Sequence, residues 1–244
     1  MVFHSKGIVL RTVPYGETSI IALIYTELFG IQSYLINGVR TNKKSALKGN
    51  LFQPAALLDM EVYHNELKNL QRIKEAKWHY LYQQVFFNIY KNAVAVFMTE
   101  LLQKVLKQPE TNADLYNFIE DAYIQLDQAD AKTTSNYPAF FALHLTEFLG
   151  SRIQDNYTAI TPILDLQEGR FIQETPAHYF YSEGETAHAI SLLLKALQPH
   201  EAGDIILNNI TRRQVLDALM QFYILHVNDF GTMRSLPVLK EVLA

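Results

Sequence analysis

The chain has 244 residues, 49% of them hydrophobic and 19% charged, which suits a globular protein of one large or two modest domains and excludes disorder as the default. It has no cysteine, so disulfides, thiolate zinc sites and thiol nucleophiles are excluded together, and the net charge of −4 argues against a uniformly basic surface. That net value hides an asymmetry. Through Trp78 there are ten Lys and Arg against six Asp and Glu, and after it eleven against nineteen, so a basic head precedes an acidic body.

The head reads as strands. Gly7 to Val13, Thr18 to Tyr25, Gly30 to Ile36, Ala55 to Tyr63 and Leu70 to Ala76 are rich in Ile, Val, Leu, Tyr and Thr, with Gly16, Gly30, Gly38, Gly49 and Pro54 as punctuation. Alternation is clearest in the fourth, where Leu58, Met60 and Val62 share one face and Asp59, Glu61 and Tyr63 the other. Lys43 to Leu51 reads as a short helix between strands three and four. Five strands with a helix after the third is the layout of an OB-fold barrel, although periodicity alone leaves an SH3-like barrel open. The expected fold class is therefore α+β, a five-stranded barrel over residues 1–78 followed by a mainly helical domain over 79–244.

Beyond the head the period changes. His79 to Lys107 predicts a central, buried helix closed by Pro109, and Asn112 to Leu126 a second with Leu115, Phe118, Ile119 and Tyr123 inward. A third opens at Asn136 or Tyr137, with Pro138 in its first turn and Gly150 at its end. Residues 151–183 are irregular around a hairpin from Leu164 to Ile172. Helices resume from Glu185 to Leu197, from Thr211 to Val227, and briefly after Pro237.

No catalytic pattern interrupts these elements. His144 has no second His at i+4, His178 and His188 lack zinc spacing, and neither a phosphate loop nor a nucleophile elbow is present. Glu183 and Glu185 flank a glycine before a helix, where a first-turn acid favours the dipole. Neither an enzyme nor a metal or other cofactor is expected. The N-terminus lacks a secretion signal, and no apolar run approaches the roughly 18 residues that would cross a bilayer, which predicts a cytoplasmic protein.

Binding is the better supported activity. Leu28 to Leu58 contains no acid but holds Arg40, Lys43, Lys44 and Lys48, which form either a solvated basic loop or a surface for phosphate. Arg11 adds a cation, and Tyr15, Tyr25, Tyr34 and Phe52 are core residues or platforms for bases, Tyr34 being favoured as a platform because a third OB strand commonly lies on the binding face. Lys68, Arg72, Lys74 and Lys77 form a second basic stretch, in which a spacing of two puts Arg72 and Lys74 on one face. A rival reading is a protein-interaction adaptor whose barrel holds a peptide or an acidic partner and no nucleic acid.

One resemblance sharpens the choice. Gly7-Ile8-Val9-Leu10-Arg11, Tyr15-Gly16-Glu17-Thr18, Thr26-Glu27 with Gly30, Asn37-Gly38-Val39-Arg40 and Leu51-Phe52-Gln53-Pro54 follow in the order found at the start of the RecO family of bacterial recombination mediators, which the head resembles. Gly150, Arg212-Arg213, Tyr223, Arg234-Ser235, Leu239 and Leu243 resemble the family's carboxyl-terminal half. The resemblance implies an OB-fold and a helical domain. It also implies binding of single- and double-stranded DNA, annealing of complementary strands, and work with RecR to load RecA onto strands coated by single-strand-binding protein. An acidic tail of that protein is expected to dock among Arg152, Arg170, Arg212, Arg213 and Arg234, the first choice being Arg212 and Arg213 at the start of a helix, unless they pair with Asp217 or Glu201. Many family members carry a four-cysteine zinc module where this chain has residues 151–183 and no cysteine, so the hairpin is expected to take that place without metal.

Overall fold

A computed structural model describes residues 1–39 and 49–243. The chain divides into two compact units, Met1–Gln83 with Leu102–Ile124, and Gln84–Leu101 with Gln125–Ala244.

The first unit is built on a closed barrel of β1 (Val2–Tyr15), β2 (Ser19–Thr26), β3 (Gly30–Ile36), β4 (Leu57–Tyr63) and β5 (Leu70–Tyr80), in the order β1-β2-β3-β5-β4. All neighbours are antiparallel except β3 and β5, which run parallel. Alternation on each strand sends Val9, Ala22, Ile24, Ile36, Leu58, Met60 and Val62 into the interior, where Phe52 packs from the 3-10 turn Gly49–Phe52. This is the five-stranded OB barrel, and closure removes the edges that an open sheet would expose. The expected helix from Lys43 to Leu51 lies mostly outside the described residues. β1 and β5 are longer than periodicity suggests, because pairing with β4 continues out to Val2↔Tyr63 and Leu57↔Tyr80.

Part of the barrel wall is covered within the same unit by the end of helix α1 (Ile89–Val105) and the start of helix α2 (Ala113–Gln128). The Gln103 amide donates to the Leu10 carbonyl at 2.8 Å, and Tyr25 packs on Tyr116 with ring centroids 5.8 Å apart. Burial there pushes the Tyr25 phenol up to about 12. Gly30 turns the chain at φ +60°, and any side chain there would run into the backbone of Glu110.

The helix expected from His79 begins ten residues later. His79 and Tyr80 still belong to β5, the amides of Gln84 and Val85 are taken by the carboxylate of Asp127, and Asn88 accepts from the amides of Tyr90 and Lys91 as the cap of α1. The third helix, α3 (Ala131–Leu145), starts five residues before the expected Asn136. Its cap is Asp130, whose side chain accepts from the Thr133 amide at 2.8 Å, and that bond holds the carboxyl below its usual value. Pro138 therefore sits in the helix interior rather than its first turn. α3 ends at Leu145, and a 3-10 turn, Thr146–Phe148, precedes Gly150 at φ +74°.

The expected hairpin is present as β6 (Ile163–Asp165) and β7 (Arg170–Ile172), joined by a third strand, β8 (Tyr181–Ser182), in the order β7-β6-β8. Side chains anchor this small sheet. Asn156 exchanges two hydrogen bonds with the backbone of Phe171, and the Asp165 carboxylate accepts from the amides of Gln167 and Glu168 in the turn. Helices α4 (Gly184–Lys195), α5 (Pro199–Asp204), α6 (Asn209–His226) and α7 (Ser235–Val242) complete the second unit. α5 was not evident from periodicity, being one turn capped by Glu201, whose carboxylate accepts from the amides of Leu197 and Gln198. Around Phe97, Tyr137, Phe141, Ile190, Leu193, Leu219 and Tyr223 the unit forms its own core.

Candidate nucleic-acid interface

Strand register assembles one outward face from residues that are distant in sequence. Arg11 on β1 pairs with Leu23 on β2, Leu23 with Ser33 on β3, and Ser33 with Leu70 on β5. The next row runs Val13, Ile21, Leu35 and Arg72 across the same four strands. Paired residues point to the same side of a sheet, so these two rows form a half-exposed apolar saddle with Arg11 at one edge and Arg72 at the opposite corner. Neither row contains an acid. Arg11 and Arg72 are exposed, and among the described residues neither has an ion-pair partner. Tyr15, 53% exposed at the end of β1, extends the face toward the β1–β2 turn.

The other predicted residues fare differently. Arg40, Lys43, Lys44 and Lys48 lie outside the described residues. Tyr34 is no platform. It is fully buried in the barrel core, because on β3 the residues facing inward are Tyr34 and Ile36 and those facing outward are Ser33 and Leu35, and burial drives its phenol well above the ordinary value. Tyr25 and Phe52 are equally buried. The aromatic that sequence reasoning passed over is Tyr63, 47% exposed on β4 and paired in register with Arg72. Its signal was the outward half of the β4 alternation.

Spacing of two does not carry over to Lys74. β5 is irregular there, with Glu61 opposite Glu75 and Val62 opposite Ile73, so Lys74 drops out of regular pairing and its amine sits 2.6 Å from the Glu61 carboxylate. That bond raises the Lys74 ammonium above its ordinary value and lowers the Glu61 carboxyl. Lys77 is 3.9 Å from Asp59, and His79 bridges Asp59 and Glu120 at 3.0 and 3.4 Å. Lys6 meets Glu120 at 2.9 Å. Burial works against its charge, but the hydrogen bond to Glu120 and the nearby acids outweigh burial and raise its value.

Two grooves border the turn between β4 and β5. One, of about 680 Å³, is lined by Leu23 and Ser33 of the saddle together with Ile31, Lys68 and Lys107. The other, of about 610 Å³, is lined by Tyr63, Leu67, Lys68, Leu70 and Arg72. Lys68 is exposed between them and, like Arg72, has no ion-pair partner among the described residues.

Among the arginines of the second unit, Arg212 is engaged within the protein. Its guanidinium donates to the Asn136 and Asn209 side chains at 3.2 and 2.7 Å and to the Leu207 carbonyl at 3.1 Å, stapling α3 to the start of α6, and partial burial lowers its value. Its own amide donates to the Asn208 carbonyl and that of Thr211 to the Asn208 side chain, so neither of these two amides is free for an anion. Arg213 is exposed and donates to the Lys240 carbonyl at 3.0 Å. Neither takes the expected acid: Asp217 pairs with Lys240, and Glu201 caps α5. Arg152, Arg170 and Arg234 are exposed but dispersed, Arg170 lying 3.9 Å from Glu168. Among the described residues, no three His, Asp or Glu side chains are grouped to hold a metal, and no helix is long and apolar enough to cross a membrane.

Residues 1–82 match the family model described as Recombination protein O N terminal. Over its whole length the chain is similar to proteins named DNA repair protein RecO. That of Phocaeicola vulgatus is 31% identical over 245 residues and covers 100% of both chains. That of Bacteroides fragilis is 31% identical with 99% of each covered, and that of Christiangramia forsetii 28% identical with 99% of each covered. With barrel, helical unit and full-length similarity in agreement, the chain belongs to the RecO family.

Proposed function

We propose that this chain acts in the cytoplasm in DNA repair and recombination as a non-enzymatic mediator. It binds single- and double-stranded DNA, anneals complementary strands, and with RecR helps load RecA onto strands coated by single-strand-binding protein. Residues 1–78 serve as the nucleic-acid-binding domain and residues 79–244 as the protein-docking body, with Arg152, Arg170, Arg213 and Arg234 as candidates for meeting an acidic tail. One observation carries the reading: the acid-free saddle on β1, β2, β3 and β5 with unpaired Arg11 and Arg72 at its margins. Unpaired guanidinium groups displace counterions from phosphate, which supplies affinity without sequence preference. The basic residues Arg40, Lys43, Lys44 and Lys48 come soon after β3 in the chain and carry further positive charge.

Annealing suits such a face. It requires that two polyanions be allowed to approach, and neutralised phosphates do this with no covalent step. Between Arg11 and Arg72 the saddle is aliphatic apart from Ser33, with Tyr15 its one aromatic extension, so bases resting on it are held loosely and stay available for pairing.

The test is fluorescence anisotropy with labelled single-stranded, double-stranded and protein-coated oligonucleotides over a salt series, alongside a strand-annealing assay. Affinity that falls steeply with salt, by about 0.7 in log–log slope per single-strand phosphate contact, supports the reading. An adaptor for peptides alone shows no oligonucleotide binding at low salt, and that result overturns it.

A further inference from the structure

The turn between β4 and β5, residues 64–69, is held with unusual firmness and yet presents an apolar tip. Gln71 is 3% exposed, and its side chain accepts from the Asn65 amide at 3.0 Å while donating to the carbonyls of Asn65 and Lys68 at 2.9 and 2.5 Å. The Asn65 side chain in turn accepts from the Leu67 amide at 2.9 Å, closing an Asx turn, and the Lys68 amide donates to the Asn65 carbonyl. Below this frame, His64 stacks on Phe29 with ring centroids 3.9 Å apart. Leu67, at the tip, is 95% exposed.

A single exposed leucine on a surface is ordinary. Here the backbone is fixed by a buried glutamine, so the side chain has no path to shelter. It is flanked by Lys68 and, across the groove it lines, by Arg72, Leu70 and the half-exposed ring of Tyr63. Glu66 is the one carboxylate among the residues lining either groove. An apolar tip with two unpaired cations, Lys68 and Arg72, around it against the single carboxylate of Glu66 fits a polyanion whose apolar parts lie inside its stack.

Resting on the DNA-binding reading above, we propose that Leu67 is a wedge: it enters between neighbouring bases of a single strand whose phosphates are held by Lys68 and Arg72, and the displaced base lies in the groove against Tyr63. The gain is geometric. A strand unstacked at one step cannot keep a smooth helical run of bases, and the kink separates the displaced base from its neighbours. Because Gln71 and Asn65 pre-form the turn, no ordering is needed when the strand arrives.

The experiment uses the full chain and a single-stranded oligo-dA carrying one 2-aminopurine, moved position by position, whose emission rises when it leaves the stack. At low salt the wild type should raise emission about twofold or more at a subset of positions, Leu67→Phe should keep that rise, and Leu67→Ser should lose it. Because the site is exposed, the serine variant should melt as the wild type does, and emission is read at protein concentrations that saturate each variant by anisotropy, so that a change in affinity cannot pass for a lost wedge. An unchanged rise with Leu67→Ser overturns the wedge. Tight binding by the wild type with no rise at any position also overturns it and leaves the DNA-binding reading standing. A wild type that binds no oligonucleotide removes that reading and the wedge with it.

Discussion

Two outer faces of one barrel both carry cations and differ in what surrounds them. On the saddle of β1, β2, β3 and β5, Arg11 and Arg72 have apolar register partners, Leu23 and Leu35. On the face made by the start of β1, β4 and the later part of β5, the register sets His4 against Glu61, Lys6 against Asp59, and Lys77 against Asp59 as well, and Lys74 folds onto Glu61. Among the described residues, the first face leaves its charge unneutralised. The second spends it internally. Counting cations along the sequence treats both alike, whereas the pairing register decides which of them is available.

The largest expected effect tests that contrast directly. Charge reversal at Arg11 and Arg72 together should weaken single-strand binding more than tenfold and flatten the salt slope by about 1.4, two contacts' worth. Reversal at Lys74 and Lys77 should change affinity much less, since their charges are already balanced by Glu61 and Asp59. Anisotropy titrations of the two double variants against wild type decide it, and equal losses would erase the distinction between the faces.

The same distinction between committed and free cations extends to the second unit, where stability is the readout. Arg212→Ala removes three hydrogen bonds and leaves the Asn136 side chain and the Leu207 carbonyl short of a donor, so it should cost about 1–3 kcal/mol in a denaturant melt. Arg213→Ala loses one exposed bond and should stay within about 0.5 kcal/mol. Neither should alter oligonucleotide affinity.

The barrel was legible because its strands alternate and its turns carry glycines, and family membership was legible because those glycines and their neighbours come in order. What the sequence hid is instructive. Tyr34 lies one residue from outward-facing Ser33 and Leu35, and only the register of β3 against its neighbours says which parity faces in. Tyr63 and Lys74 were visible as residues, but the irregularity in β5 that sends Lys74 to Glu61 has no local signature. Tyr82, Val85 and Phe86 fit a helical spacing, yet Asn88 and the distant Asp127 carboxylate claim the amides that would have begun the helix earlier. Strand register decides the first, and side-chain partners override local period in the others.

A smaller effect sharpens the comparison by converting one face toward the other. Glu61→Gln, with Asp59→Asn, frees Lys74 and Lys77 from their acids. Oligonucleotide affinity should then rise a few-fold at low salt, with the slope steeper by up to about 1.4 if both lysines find phosphate. No gain would mean that strand geometry, beyond charge, confines DNA to the saddle.

The smallest effect lies in pH. The Lys74 hydrogen bond holds the Glu61 carboxyl below its ordinary value of 4.5, so folding favours the ionised form. The resulting stability is fully present above that value and is lost as pH falls through the lower folded-state value, while the Lys74 side of the pair, raised above 10.5, loses its share only as pH climbs through the alkaline range. Between those limits the wild type should melt slightly above Glu61→Gln, and the gap should close in acid well below 4.5 as the carboxyl takes up its proton. Arg72→Gln breaks no ion pair among the described residues, so its offset from wild type should stay flat across the same acid range. Thermal melts of the three proteins at a series of pH values provide the check. A gap for Arg72→Gln that closes in acid as the Glu61→Gln gap does would show that the saddle arginine has a carboxylate partner after all.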